Sequence, residues 1–109
     1  QVLRDPRLAK AIYAMHQRPG VNWKVEDLAR EAGLSRSLFA ERFLAATGTT
    51  PARYLTELRM RLAVQYITHE GQALEKVAFS LGYQSLAAFS RAFKRITGQP
   101  PGALRATAR

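Results

Sequence analysis

The chain has 109 residues, 47% of them hydrophobic, and no cysteine. That length suits one compact unit or two very small lobes sharing a connector, with enough apolar content for a core and no thiol for disulfide, metal or nucleophile chemistry. Seventeen Lys and Arg against eight Asp and Glu give a formal charge of +9, which favours a partner with a polyanionic backbone. No apolar run approaches the length of a membrane crossing and no signal peptide is visible, so no membrane partner is expected. Beginning at Gln1, the chain reads as a fragment of a longer protein.

Taken in order, Asp5-Pro6 marks a helix start: Asp5 can cap free amides, and Pro6 suits the first helical position, where its missing N–H is unneeded. Leu8, Ala11, Ile12 and Met15 then recur at helical spacing until Pro19-Gly20 stops the run. Trp23 and Val25 lead into a second helix with Leu28, Ala29 and Ala32 as its buried stripe, ended by Gly33 in the left-handed conformation. Ser35 caps a third helix, with Phe39, Phe43 and Ala46 inward and Gly48 at its end.

Pro51 opens the longest helix, residues 51–69, closed by His69-Glu70-Gly71. Tyr54, Leu55, Leu58, Leu62, Val64 or Gln65, and Tyr66 are distributed around it, which implies packing on more than one side. A fifth helix over 73–81, a sixth over 85–97 and a short last one from Pro101 follow, the last running into the basic tail Arg105–Arg109. No segment alternates at period two, so no strand is expected.

The chain also repeats itself. Residues 25–33, Val-Glu-Asp-Leu-Ala-Arg-Glu-Ala-Gly, return at an offset of 49 as residues 74–82, Leu-Glu-Lys-Val-Ala-Phe-Ser-Leu-Gly. Beyond each glycine the offset becomes 50: Ser35, Phe39, Phe43, Thr47-Gly48 and Pro51 match Ser85, Phe89, Phe93, Thr97-Gly98 and Pro101. Each unit is a short striped helix, a glycine turn and a serine-capped second helix, the layout of a helix-turn-helix. The expected fold is all-α and homeodomain-like, with about seven helices. Residues 1–50 and 71–109 form the two helix-turn-helix subdomains, and residues 51–70 form the linker helix.

A strongly basic chain with two such units reads as a reader of double-stranded DNA. Opposite Phe39 and Phe43 the third helix presents Ser37, Ala40, Glu41 and Leu44, flanked by Arg36; opposite Phe89 and Phe93 the sixth presents Ala87, Ser90, Arg91 and Lys94, flanked by Leu86. Recognition helices meet base edges with their amino-terminal turns, which selects Arg36, Ser37, Ala40 and Glu41 together with Leu86, Ala87, Ser90 and Arg91. Arg91 can pair bidentately with guanine, Leu86 and Ala87 suit a thymine methyl, and Glu41 can accept from cytosine or orient Arg36. Leu44, outward and apolar, reads as packing on a missing domain.

For phosphate the candidates are Lys24, Ser35, Ser85, Lys94 and Arg95, together with the amide-bearing amino ends of the second and fifth helices near Lys24 and Ala73. Arg59 and Arg61 on the long helix are weaker candidates. Residues 1–50 carry +3 and residues 51–109 carry +6, so the second unit is expected to grip phosphate more strongly. Nineteen linker residues span about 28 Å, close to the ~34 Å between successive major-groove openings.

With these residues in hand, the sequence resembles the carboxy-terminal DNA-binding domain of the AraC/XylS family of bacterial transcription regulators, over residues 7–106. The most specific part is Val77-Ala78-Phe79-Ser80-Leu81-Gly82-Tyr83, then Phe89-Ser90-Arg91-Ala92-Phe93-Lys94-Arg95 and Gly98-Gln99-Pro100-Pro101. The resemblance implies two lobes whose third and sixth helices enter adjacent major grooves and bend the DNA. It also implies an absent amino-terminal domain for effector sensing or dimerisation, a possible contact with RNA polymerase, and a nucleoid-associated place in the cytoplasm. Ser37 and Glu41 depart from the family, which commonly has a larger residue at the first position and basic residues near the second.

Other classes fit less well. His16 and His69 are far apart, and no metal-ligand spacing, glycine-rich phosphate loop or nucleophile with a base is found, so neither an enzyme nor a cofactor is expected. A helical protein-interaction module that has lost DNA specificity is the alternative, supported by Glu41, Leu44, Leu86 and Ala87. The Phe and Tyr residues are mostly explained as core, which leaves no stacking platform for single-stranded RNA.

Overall fold

The computed structural model of the chain describes residues 5–107, with side chains as far as Leu104; the predicted basic tail Arg105–Arg109 lies outside the described side chains. Among the described residues there are seven helices and no strand: α1 Pro6–Gln17, α2 Val25–Ala32, α3 Arg36–Thr47, α4 Pro51–Thr68, α5 Leu74–Ser80, α6 Leu86–Thr97 and α7 Gly102–Thr107. The chain separates into two compact units, Gln1–Thr56 and Glu57–Arg109.

In the first unit the helix ends follow their punctuation. Asp5 Oδ1 accepts from the amides of Arg7 and Leu8, at 3.0 and 3.4 Å, and so opens α1. Gly33, at φ 70°, ends α2, and its neighbour Leu34 donates its amide back to the Ala29 carbonyl at 3.0 Å. The core holds Leu8, Ala11, Ala14, Met15, Leu28, Ala29, Ala32, Phe39 and Phe43. Ala46, expected inward, is only half-buried. Between α1 and α2 the Trp23 indole donates to the Arg18 carbonyl at 2.8 Å while the Arg18 guanidinium lies 5.4 Å over the Trp23 ring. Tyr54, in the first turns of α4, packs edge-on against Phe43 and its hydroxyl is hydrogen-bonded to His16 Nε2 at 3.0 Å.

The second unit is built on the same plan, with the later part of α4 packed against α5 and α6. Its core contains Met60, Ala63, Ile67, Val77, Ala78, Leu81, Phe89, Ala92 and Phe93, with Leu62, Val64, Tyr66 and Tyr83 partly buried around it. Of the apolar positions expected around the long helix, Leu55 and Leu58 are buried. Met60, Ala63 and Ile67, which the sequence pattern did not single out, are buried too, while Leu62, Val64 and Tyr66 sit at the margin and Gln65 is exposed. Apolar residues all round a helix give no single stripe from which the inner one can be chosen.

Both second helices of the repeats end in the same hydroxyl device. Thr47 Oγ1 donates to the Phe43 carbonyl at 2.7 Å and accepts from the Thr49 amide. Thr97 does the same with the Phe93 carbonyl, at 2.7 Å, and the Gln99 amide. The repeated Thr-Gly pair therefore marks a helix end, where the hydroxyl bonds back to the carbonyl four residues before it and takes up the amide two residues on.

Candidate nucleic-acid interface

The amino end of α3 is fixed by Ser35, whose Oγ accepts from the Leu38 amide at 3.2 Å. A serine used in this way keeps its hydroxyl hydrogen for a donor contact, so capping and phosphate contact are compatible. Arg36 and Ser37 follow, both exposed, with Ala40 half-buried and Glu41 exposed. Leu44, 52% exposed, continues the same face. The face opposite Phe39 and Phe43 is thus the outward one, because both rings are fully buried.

Arg36 does not stand alone on this face. Its Nε lies 3.5 Å from Glu26 Oε2, in the first turn of α2, and both side chains are more than half exposed. Glu26 is thus an acid that pairs with Arg36, a role the sequence had offered to Glu41 only as one of two alternatives. The repeat could not reveal this, because the two residues lie on different helices and meet only once the turn has folded. An exposed pair of this kind contributes ~0–1 kcal/mol, so it biases the arginine without immobilising it.

The amino end of α6 is built alike, with Ser85 Oγ accepting from the Ala88 amide at 3.0 Å. Ala87 and Arg91 are exposed and Ser90 is half-buried. Leu86 is partly buried against the core of its own unit, which leaves less of it for a thymine methyl than its sequence position suggested. Lys94 and Arg95 are exposed in the last turn, so this helix carries three outward cations while α3 carries Arg36 and Arg42 beside Glu41. The exposed Gln84, immediately before Ser85, is the residue by which the second turn is longer. The change of offset in the repeat was its only signal.

Lys24 precedes α2 and is exposed. Its amide donates to Asp27 Oδ2 at 3.0 Å, and Asp27 in turn holds Arg30 at 2.6 Å. Lysine has no acceptor for the helix amides, so only one half of a reciprocal cap forms. The amino end of α5 at Ala73 has no side-chain cap either. Arg61 is exposed, whereas Arg59 is half-buried with its guanidinium 5.6 Å over the Tyr83 ring. Burial pulls the Arg59 pKa below the usual arginine value, and Tyr83 opposes that shift through its charge and a hydrogen bond. Sequence reasoning offered Arg59 as a phosphate contact and missed this packing role.

Among the described residues no group of His, Asp and Glu could hold a metal ion, and no helix is long and apolar enough to cross a membrane.

The helix-turn-helix domain family matches residues 28–107 of this chain. A putative AraC-like transcription regulator of Streptomyces lividans is 44% identical over 100 residues, covering 92% of this chain and 33% of that protein. The RCS-specific HTH-type transcriptional activator RclR of Escherichia coli K12 is 41% identical over 104 residues, 95% of this chain and 37% of that protein. The chain spans about a third of the length of the curated relatives it matches. Among solved structures, the DNA-binding domain of AdpA in complex with a target DNA is similar with a TM-score of 0.85 and 30% identity, over 96% of this chain and 94% of that one. With two capped helix-turn-helix units and these relatives, the chain belongs to the AraC-type helix-turn-helix family, a family of transcription regulators and not of enzymes.

Proposed function

We propose that this chain binds double-stranded DNA sequence-specifically, with α3 and α6 entering adjacent major grooves, and that it regulates bacterial transcription as part of a longer protein. The observation that carries the reading is the outward face of α6: Arg91, Lys94 and Arg95 exposed beyond a serine cap, opposite two buried phenylalanines, in a chain of net charge +9. In this reading Arg36, Ser37, Ala40 and Glu41 meet bases from the first unit, and Leu86, Ala87, Ser90 and Arg91 from the second. Lys24, Ser35, Ser85, Lys94 and Arg95 hold phosphates, and residues 51–70 connect the readers 1–50 and 71–109. A further amino-terminal domain would supply effector response and dimerisation, RNA polymerase would be the downstream partner, and the protein would work at the nucleoid in the cytoplasm.

Selection of this chain on random duplexes should return a two-part site with its halves about 10 base pairs apart. A pool that shows no enrichment would end the sequence-specific reading. Exposed Leu44 and Phe79, 52% and 54%, favour the alternative of a protein-interaction module, and that module would give no enrichment.

Two substitutions separate base reading from phosphate holding. Arg91→Ala should cost about 1–3 kcal/mol at one base position and relax preference there. Lys94→Ala should weaken all duplexes alike and lower the salt slope by about one unit. The assignment of roles is wrong if the two variants show the same pattern in competition titrations. Glu41→Ala tests the acid on the first reader. An acid near phosphate repels it, so the variant should tighten binding to every duplex. Selectivity lost at a single position would assign Glu41 to a cytosine amino group instead.

A further inference from the structure

The turn of the second unit is tied to the long helix through side chains. Arg59 on α4 is half-buried, and its guanidinium carbon lies 5.6 Å from the centre of the Tyr83 ring. Tyr83 is the residue after Gly82 in the turn between α5 and α6, and its amide donates to the Ala78 carbonyl at 3.0 Å. The same ring lies 5.6 Å from Phe89, tilted by 56°, and Phe89 lies 5.7 Å from Phe93. Phe89 is fully buried and sits at the start of the second turn of α6. One continuous stack therefore runs from α4 through the turn to the half of α6 that carries Leu86, Ala87, Ser90 and Arg91.

A charged group is an expensive choice for mere filling. Half-burying a guanidinium sacrifices hydration that a leucine would not need, and only a directed contact offsets the loss. A planar cation over a ring provides that direction, because the attraction depends on lying over the face. The first unit has no such arrangement: Leu34, not an aromatic residue, follows Gly33.

We propose that Arg59 is a positioning residue for the second reader: stacked on Tyr83, it fixes the turn that aims α6 and so governs base selectivity and not general grip on DNA. The proposal rests on the DNA-binding reading above.

The test compares the parent with Arg59→Met, Arg59→Lys, Tyr83→Leu and the Arg59→Met/Tyr83→Leu double variant. Affinity is measured for the duplex selected by the parent chain and for a scrambled duplex of equal length, across a salt series, beside thermal melts. Arg59→Met should lower the ratio of selected to scrambled affinity about tenfold, the scale of one misaligned base contact. Scrambled-duplex affinity and salt slope should stay at parent values. Tyr83→Leu should give the same loss, and the double variant should lose no more than either single one, because both break one stack. Arg59→Lys, which keeps charge and most of the volume without the planar fork, should recover part of the ratio.

A salt slope lower by about one with an unchanged ratio would make Arg59 a phosphate contact and overturn the proposal. An unchanged ratio in both folded single variants overturns it too, as does a ratio lost only in variants that also melt earlier. If Arg59→Met does not fold, a parent-like ratio in folded Arg59→Lys and Tyr83→Leu is equally fatal. A parent chain that binds no duplex selectively removes the DNA reading and this proposal together; a selective parent with unaltered variants removes the proposal alone.

Discussion

Phe89→Ala should destabilise the second unit by about 3–5 kcal/mol, and Phe39→Ala the first by a similar amount. Both rings are completely buried, and each packs on the next phenylalanine of its own helix, Phe43 at 5.6 Å and Phe93 at 5.7 Å. Truncation removes the transfer free energy of a benzyl group and leaves a cavity that three helices cannot easily close. Units of about 50 residues have little stability in reserve, so a loss of this size is a large part of the total. Urea titrations followed by circular dichroism measure the effect, and DNA binding should disappear with the fold. A midpoint equal to the parent's for either variant would show that the helix face had been assigned backwards.

Duplex binding should weaken steeply with salt. For about six phosphate contacts the log–log slope is near −5, or about a thousandfold loss between 50 and 200 mM salt. The cations for this are outward ones: Lys24, Arg36, Arg91, Lys94 and Arg95 are all exposed. Neutralised phosphates release condensed counterions, and added salt opposes that release. A helical module recognising a protein through Leu44 or Phe79 would show a shallow dependence. Fluorescence anisotropy across a salt series at fixed pH measures the slope, and a flat line would falsify the DNA-binding reading as a whole.

Helix punctuation was the most legible layer of the sequence. Asp5, Ser35, Ser85, Gly33 and Gly48 each act where their local chemistry placed them, because capping and left-handed φ depend on a few neighbouring atoms. The outward faces of α3 and α6 were legible too, since two phenylalanines four residues apart fix the inner side. The inner face of α4 was legible only in part, at Leu55 and Leu58. Its choice of Met60, Ala63 and Ile67 over Leu62 and Tyr66 depends on which helices lie beside it. For the same reason the partner of Arg36, the partial burial of Leu86 and the stack of Arg59 on Tyr83 appear only in three dimensions.

The hydrogen bonds that end α2 and α5 close on Leu34 and Tyr83, one residue before the two repeats change register at Gln84. The first helix of each unit is thus sealed before the turn length is decided. A residue gained or lost at that point changes the pitch and heading of the following helix while every terminating bond behind it stays in place. Duplicated units of this design can diverge in what they address by single insertions, with no need to rebuild the interior that both copies inherited.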